Sequence, residues 1–204
     1  MIITNIVPKR KKLSALYIDG EFALKIDSET LISSPFSVGS EISDEQLKEL
    51  IDSSNEKRAK EKALWLLSSR DHSKRELENK IRKTADSGSA KKAVERMEEL
   101  GLVNDEKFAR RYAEELINVK HLSVRGAKFK LTEKGIDHDL ADEILEEMSP
   151  DPIAHIEILI ERKYSKYLGD EKGRRKTVAA LQRLGYSWSD IKAVMSNYFE
   201  DEYI

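Results

Sequence analysis

Apolar residues recur at helical spacing from Lys57 onward, and the same arrangement of apolar, basic and helix-starting positions returns fifty residues later. Under this shift apolar residues match apolar ones, basic residues match basic ones, and serine matches serine. The matching positions are Ala59, Ala63, Leu66, Leu67, Arg70, Ser73, Arg75 and Ile81 with Ala109, Ala113, Leu116, Ile117, Lys120, Ser123, Arg125 and Leu131. Self-similarity at this period is typical of tandem helical repeats.

A third copy follows the second. The shift carries Leu131, Gly135, Ile136, Ala141, Ile144 and Leu145 onto Leu181, Gly185, Tyr186, Ile191, Val194 and Met195. A shift of thirty-four also aligns Met97, Gly101 and Leu102 with Leu131, Gly135 and Ile136, so the pattern fixes the helices better than the boundaries between units. We predict three three-helix repeats in tandem, at residues 56–104, 105–150 and 151–204.

Helix start and stop signals divide each repeat. A serine or aspartate precedes many of the apolar stretches, and a glycine follows several of them, as expected of N-caps and left-handed C-caps. The predicted N-caps include Ser73, Asp137 or Asp139, Asp151 (with Pro152 at the first helical position) and Ser187, and Ser123 opens another helix. The predicted stops are Gly101, Gly135 and Gly185, with the last helix ending near Phe199 before an acidic tail at 200–202.

Residues 1–55 follow a different pattern. Segments 2–7, 13–18 and 21–26 have the alternating, β-branched character of short strands. Asp19-Gly20 separates two of them by two residues, which predicts a tight type I′ hairpin turn. Segment 33–41 reads as a loop, a short helix begins at Ser43, and 52–56 reads as a polar junction. We therefore predict a small N-terminal β-hairpin module ahead of a mainly α-helical chain.

The composition suits thin helical layers with much solvated surface, because 39% of the 204 residues are hydrophobic and 36% are charged. The chain has no cysteine, which excludes disulfides and thiolate zinc sites and fits a reducing compartment. No apolar run approaches the length of a membrane span or of a signal-peptide core. We expect a cytoplasmic protein that does not bind membranes.

Charge is distributed in alternating bands, although the formal net charge is only −2. Basic residues outnumber acidic ones around the second helices. The counts of Lys+Arg against Asp+Glu are 6 to 3 in segment 70–83, 5 to 1 in 120–134 and 8 to 2 in 162–183. Segments 84–106, 135–151 and 184–204, around the third helices, have ratios of 3 to 6, 0 to 7 and 1 to 4. Such bands can simply keep a surface soluble and pair between neighbouring repeats.

The threefold recurrence of the basic band favours a second interpretation, a stripe that faces a long charged partner. This interpretation requires the second helices to share one side of the array. The residues that we predict to contact the partner are Arg70, Lys74, Arg75, Lys120, Arg125, Lys128, Lys130, Arg174, Arg175 and Lys176.

Recognisable catalytic motifs are missing, because the chain has no P-loop, no G-x-G-x-x-G, no G-x-S-x-G and no cysteine nucleophile. His72, His121, His138 and His155 are scattered, and we expect them at the surface or at its boundary. The acids Asp139, Asp142, Glu143, Glu146 and Glu147 are expected to form a solvated helix face. We expect no catalytic residues, no metal site and no cofactor.

Aromatic residues could stack on bases. They are Trp65, Tyr112, Phe129, Tyr164, Tyr167, Tyr186 and Trp188. Most occupy apolar helical positions, so we expect most of them in the core. Tyr164 and Tyr167 lie beside Arg162, Lys163 and Lys166 and are the better candidates for exposed contacts.

Several motifs resemble those of the RecX regulatory proteins of bacteria. The most specific is Gly101-Leu102-Val103-Asn104-Asp105 followed by Phe108-Ala109, in which Asn104 stands where the family more often has Asp. The looser ones are Ala63-Leu64 through Leu67, Arg70-Asp71-His72-Ser73, Glu76-Leu77, Leu184-Gly185-Tyr186-Ser187 with Ile191, and the hairpin Tyr17-Ile18-Asp19-Gly20-Glu21 of longer members. The resemblance covers essentially the whole chain.

This resemblance implies a non-enzymatic modulator of the RecA recombinase, built from three tandem three-helix repeats in an elongated, curved array. We expect the protein to be a monomer. It implies binding along the groove of the RecA nucleoprotein filament, which restrains filament growth, ATP hydrolysis, strand exchange and co-protease activity. Weaker direct binding to single- or double-stranded DNA is also implied. The alternative from the residues is an autonomous DNA-binding protein with helix-turn-helix-like units, which the basic second helices favour and the net charge opposes.

Overall fold

A computed structural model describes residues 1–198 of the chain. The chain folds into two compact units, residues 1–104 and the residues from 105 onward. The predicted acidic tail at 200–202 and the predicted helix end at Phe199 lie outside the described residues. No helix of the described part has the length and apolar character needed to cross a membrane.

The first unit begins with an antiparallel sheet in the order β1 (Ile3–Lys9), β2 (Leu13–Ile18), β3 (Glu21–Asp27). Asp19 and Gly20 both have positive φ, 50° and 90°, so the predicted tight turn between β2 and β3 is confirmed. One face of the sheet is apolar and packs against the helices that follow. That core consists of Ile3, Leu16, Ile18, Ile26, Leu31, Ile42 and Leu50.

A short helix, α1 (Ser28–Ile32), and a long one, α2 (Asp44–Leu67), follow the sheet. Ser43 caps α2 with a complete capping box, as the predicted helix start requires. The polar junction predicted at 52–56 is wrong, because α2 continues through it without a break. Polarity misled the sequence interpretation here, since Ser54 is buried and its hydroxyl accepts a 2.8 Å hydrogen bond from the Asp27 amide.

Asp27 connects the sheet to α2 through polar contacts. Its side chain is 3% exposed, and its Oδ1 atom lies 3.1 Å from Lys57 Nζ. Burial alone would raise the pKa of Asp27, but hydrogen bonds from the Thr30 backbone, Lys57 and the Thr30 hydroxyl lower it. The carboxylate therefore stays charged and paired, and the boundary predicted between residues 55 and 56 lies inside a helix that serves both the sheet and the first repeat.

The C-terminal half of α2 packs with α3 (Lys74–Ile81) and α4 (Ser87–Glu99) around a second core. Ser73 caps α3 by accepting a 3.1 Å hydrogen bond from the Glu76 amide. Gly101 follows the C-cap of α4 with a φ of 68°. Asp86 is the N-cap of α4, and its side chain accepts a hydrogen bond from the Ser89 amide. The buried residues of this core are Ala59, Ala63, Leu66, Leu77, Ile81, Ala90, Ala93, Val94, Met97 and Val103.

The second unit repeats this arrangement in α5 (Asp105–Glu114), α6 (Val124–Glu133) and α7 (His138–Met148). A π-helical turn, Glu115–Val119, extends α5, and Ser123 and Asp137 cap the two helices that follow. The core contains Phe108, Ala109, Ala113, Leu116, Ile117, Ala127, Leu131, Ile136, Ala141, Ile144 and Leu145. Tyr112 is only partly buried and packs against this core.

The remaining helices are α8 (Pro152–Leu159), α9 (Glu171–Arg183) and α10 (Trp188–Met195). A π-helical turn (Ile160–Tyr164) and a 3-10 turn (Ser165–Tyr167) connect α8 towards α9. Their common core is Ile156, Leu159, Ile160, Leu168, Leu181, Tyr186, Ile191, Val194 and Met195. The mainly α-helical fold with three-helix repeats and a small N-terminal sheet is confirmed, whereas the curved array stays a prediction.

Candidate partner-binding surface

The cations predicted around α3 have three different environments. Arg70 lies in the turn before α3 and donates two hydrogen bonds to the Glu76 carboxylate, of 2.8 and 3.0 Å. Lys74 forms an ion pair with Glu98 of α4. Arg75 is exposed and has no ion-pair partner among residues 1–198. Of the three, Arg75 presents an uncompensated charge to a partner.

The Glu76 carboxylate also holds His72, whose Nδ1 atom lies 2.9 Å from it. His72 is buried, so its expected place at the surface or boundary is wrong. Burial lowers the pKa of His72, and the hydrogen bond to Glu76 only partly opposes this effect. The Nε2 atom is buried without a hydrogen-bond partner in the described part of the chain, as fits a neutral ring that donates from Nδ1.

This cluster predicts a pH-dependent stability. A histidine in the unfolded chain takes up a proton near pH 6.5, whereas the folded His72 resists it, so the unfolded state binds more protons. The free energy of unfolding should therefore fall as the pH falls below about 6.5, by up to about 1.4 kcal/mol for each pH unit. Urea denaturation of the parent and of His72→Asn between pH 7.5 and 5.5 measures this change in the free energy of unfolding.

The exposed His138 offers a matched control. His138→Asn should keep the pH dependence of the parent, whereas His72→Asn should flatten it. Equal slopes for the parent and His72→Asn would contradict the role given to the buried ring.

The cations on and before α6 divide in the same way. Lys120 lies 2.8 Å from Glu115, and the hydrogen bond to that carboxylate raises its pKa. Lys128 lies 2.5 Å from Asp142 of α7, and Lys130 lies 2.7 Å from Glu133. Arg125 is exposed and has no ion-pair partner within residues 1–198.

On α9, Arg174 is half-buried, and its Nη1 atom lies 3.5 Å from the carbonyl oxygen of Leu168. Arg175 forms an ion pair with Glu171 one turn earlier. Lys176 is exposed and lacks an ion-pair partner in the described chain. We call Arg75, Arg125 and Lys176 the free cations, since each leaves its full charge available on a second helix of a repeat.

Helical geometry explains which cations are free. Leu77 and Ile81 form the buried stripe of α3, as Ala127 and Leu131 do in α6. An arginine stands two residues before the stripe in both helices, which places it about 200° around the helix from the first stripe residue. Arg75 and Arg125 therefore point away from the core of their own repeats. Ion pairs such as Lys74–Glu98 join helices of one repeat, not neighbouring repeats.

The aromatic residues are more exposed than predicted. Trp65 is 62% exposed, Phe129 61% and Trp188 47%, while Tyr186 is buried. Of the two candidates for exposed contacts, Tyr167 is 48% exposed and Tyr164 is partly buried. The expectation that most of these residues lie in the core is therefore wrong. The exposure of Phe129 has a signal in the sequence, because this residue stands midway between the stripe residues Ala127 and Leu131 and so faces outward.

Within the second unit, the N-terminus of α6 lies against the C-terminal end of α9. The Ser123 amide donates a 3.0 Å hydrogen bond to the Leu184 carbonyl, and the Tyr186 hydroxyl donates one of 3.1 Å to the His121 carbonyl. Burial raises the pKa of Tyr186 to about 12, so the hydroxyl keeps its proton. A side chain at Gly126 would bring a Cβ to 2.4 Å from the Leu184 oxygen, so this contact requires glycine.

A cavity of about 230 Å³ opens beside this contact, with Arg125 in its wall. Leu122, Val124 and Tyr186 provide apolar walls, and His155 contributes a polar one. His121, whose pKa is lowered by burial and by His155, packs its ring 6.1 Å from that of His155. Arg125 thus combines a free charge with an adjacent apolar depression, which suits a protein partner as well as a phosphate.

The acids of α7 behave as a helix surface. Asp142 pairs with Lys128, and Glu147 lies 2.5 Å from Arg110 of α5. Over residues 1–198, no three histidine, aspartate or glutamate side chains are grouped closely enough to hold a metal ion.

Comparison with known proteins identifies the family of this chain. Family models described as the second and third three-helix domains of RecX match residues 104–145 and 151–195. The regulatory protein RecX of Caldanaerobacter subterraneus is 33% identical over 153 residues, which cover 74% of this chain and 77% of that protein. The RecX of Clostridioides difficile strain 630 is 26% identical over 99% of this chain and 98% of its own.

Two crystal structures share the fold. A regulatory protein RecX superposes with a TM-score of 0.62 and 20% identity, covering 96% of this chain and 98% of that one. RecX from Lactobacillus salivarius superposes with a TM-score of 0.59 and 22% identity, and the match covers 72% of this chain and 97% of that one. The family models and the relative that is 33% identical establish that the chain belongs to the RecX family of regulatory proteins.

Proposed function

We propose that this protein regulates RecA by binding the RecA–DNA filament through the exposed cations of α3, α6 and α9. In this role it inhibits or tunes RecA ATP hydrolysis, strand exchange and co-protease activity in homologous recombination and the SOS response. The observation that carries the proposal is the recurrence of free cations on the second helices of the repeats, in a chain that belongs to the RecX family.

A nucleoprotein filament suits these cations. It offers a long series of phosphates and acidic side chains, and each contact made by an unpaired, solvated cation releases condensed counterions. Cations already neutralised in the free protein, such as Lys74 and Lys128, would have to exchange Glu98 and Asp142 for the new partner. They should contribute less than Arg75 and Arg125.

Binding alone does not change RecA activity. A regulator shifts ATP hydrolysis or filament length only if it binds one state of the filament more tightly than another. We expect this protein to favour a state that neither grows nor turns over ATP at the normal rate. The free cations supply binding energy, and the packed core of each repeat positions the helix that carries its cation.

Titration of the full chain into RecA assembled on single-stranded DNA tests the proposal. ATP hydrolysis and filament length should be followed in the same samples, because together they separate restrained growth from faster turnover. A fall in ATP hydrolysis at substoichiometric protein is the expected result. Unchanged hydrolysis and unchanged length at saturating protein would contradict the proposal.

A second candidate is autonomous DNA binding by helix-turn-helix-like units. The segment before α9 favours it, because Tyr167 is exposed and Lys166 Nζ lies 5.0 Å from its ring centroid. The net charge of −2 opposes it. Tight binding to bare duplex at physiological salt, with a steep salt dependence and no RecA present, would favour this function over the first.

A further inference from the structure

The turn between β1 and β2 carries four consecutive cations, Lys9, Arg10, Lys11 and Lys12, which we call the hairpin tip. Lys9 pairs with Leu13 at the end of the β1–β2 pairing, so the other three residues form the turn that connects the two strands. All four side chains are exposed. None of them belongs to a three-helix repeat.

The conformation and charge of the hairpin tip lower the stability of the folded protein. Lys11 and Lys12 have φ values of 63° and 55°, a left-handed conformation that favours glycine, asparagine or aspartate. Like charges in one turn also repel each other. Only Lys12 has an acidic neighbour among residues 1–198, at 3.5 Å from Glu29. Folding alone therefore gives no reason for this sequence, whereas binding of an anion does.

The sheet face opposite the core carries aromatic residues. Tyr17 pairs with Phe22 across the strands, and their rings meet edge to face at 5.9 Å between centroids. Phe22 is 53% exposed. Lys25, which pairs with Ala15 on the same face, adds an exposed cation between the aromatic pair and the tip.

The tip and the aromatic pair are within reach of one extended ligand. Leu13 and Tyr17 of β2 are four residue steps apart, which is about 14 Å along the strand. A duplex hides the faces of its bases, whereas a single strand presents unstacked bases together with regularly spaced phosphates. An acidic protein segment would satisfy the cations but would not account for the exposed Phe22.

We propose that the N-terminal sheet binds single-stranded DNA, with phosphates on the hairpin tip and Lys25 and a base stacked on Phe22. The choice of DNA over RNA rests on the proposed function, which brings the protein to a filament on single-stranded DNA. The contact adds a binding site that is separate from the second helices of the repeats.

Fluorescence anisotropy with a labelled oligothymidylate and the full chain, without RecA, tests this site. Arg10→Ala with Lys11→Ala should weaken binding about ten-fold at low salt. The slope of log Kd against log salt should become shallower by about 1.4, since each lost phosphate contact on a single strand removes about 0.7. Lys48→Ala with Lys60→Ala, two exposed lysines of α2, is the matched control and should bind like the parent.

Phe22 needs its own variants. Phe22→Leu keeps an apolar side chain on the sheet but should weaken binding about five-fold or more, with an unchanged salt slope. Phe22→Trp keeps an aromatic ring at this position and should bind about as tightly as the parent. Equal binding by the parent and the tip variant, an equal loss in the lysine control, or tighter binding to RNA or duplex of matched sequence would overturn the proposal. Because RecA is absent, any of these results leaves the proposed regulation of RecA untouched.

Discussion

Reversing the free cations, with Arg75→Glu, Arg125→Glu and Lys176→Glu combined, should raise the protein concentration needed for half-inhibition of RecA ATP hydrolysis about 100-fold. Each change removes an attractive contact and places a like charge against the acidic groups and phosphates of the filament. The three side chains are exposed and lack ion-pair partners in the described chain, so stability should change by less than about 1 kcal/mol. ATPase titrations and thermal unfolding measure the two effects.

The same charge change placed elsewhere controls for net charge. Lys48→Glu, Lys60→Glu and Lys192→Glu alter exposed lysines outside the second helices and should leave inhibition within about two-fold of the parent. If both triple variants inhibit RecA equally, inhibition depends on total charge or on other residues. Inhibition by the first triple variant at the concentration of the parent would show that Arg75, Arg125 and Lys176 do not form the contact.

Gly173→Ala should lower the free energy of unfolding by about 3 kcal/mol, although alanine normally favours a helix over glycine by about 1 kcal/mol. A Cβ at this position would lie 1.8 Å from the carbonyl oxygen of Tyr167 and 2.8 Å from its carbon. Both are backbone atoms of the preceding 3-10 turn and cannot rotate away. The first turn of α9 must therefore shift, and with it the cap in which Asp170 accepts a 2.6 Å hydrogen bond from the Gly173 amide.

Gly169 provides the control in the same connection. A Cβ there meets no atom within 4 Å, so Gly169→Ala should change stability by less than about 1 kcal/mol. Thermal unfolding should separate the variants by about 6 to 12 °C for a chain of this size. Equal melting temperatures would show that α9 can move at little cost, and then the rigid placement of Arg174, Arg175 and Lys176 would need another explanation.

Local signals in the sequence predicted the elements well. Ser73, Ser123 and Ser187 cap helices as expected, because a side-chain oxygen at that position satisfies an amide that no helix can satisfy from within. Asp19-Gly20 makes the expected turn for an equally local reason. These features depend on a few neighbouring residues, so they can be read without knowledge of the rest of the chain.

Errors arose where a hydrogen-bond partner changed the meaning of a local pattern. The polar segment 52–56 looked like a junction until the fold placed Ser54 against Asp27, twenty-seven residues away in the chain. His72 looked like a surface residue until Glu76 and Arg70 formed a polar cluster that allows its burial. In both cases a hydrogen-bond partner offsets the cost of burying a polar group, and the pattern of apolar residues does not record that partner.

The order of residues is enough to establish a series of three-helix repeats behind a small sheet, because hydrophobic period, caps and turn residues act locally and recur every fifty residues. Which cations are available to a partner depends on the folded chain. Lys74 and Arg75 are adjacent and chemically alike, yet only Lys74 lies close to Glu98, because α4 packs on one side of α3. Pairing requires a short distance between charges on different helices, and only the packing of those helices sets that distance.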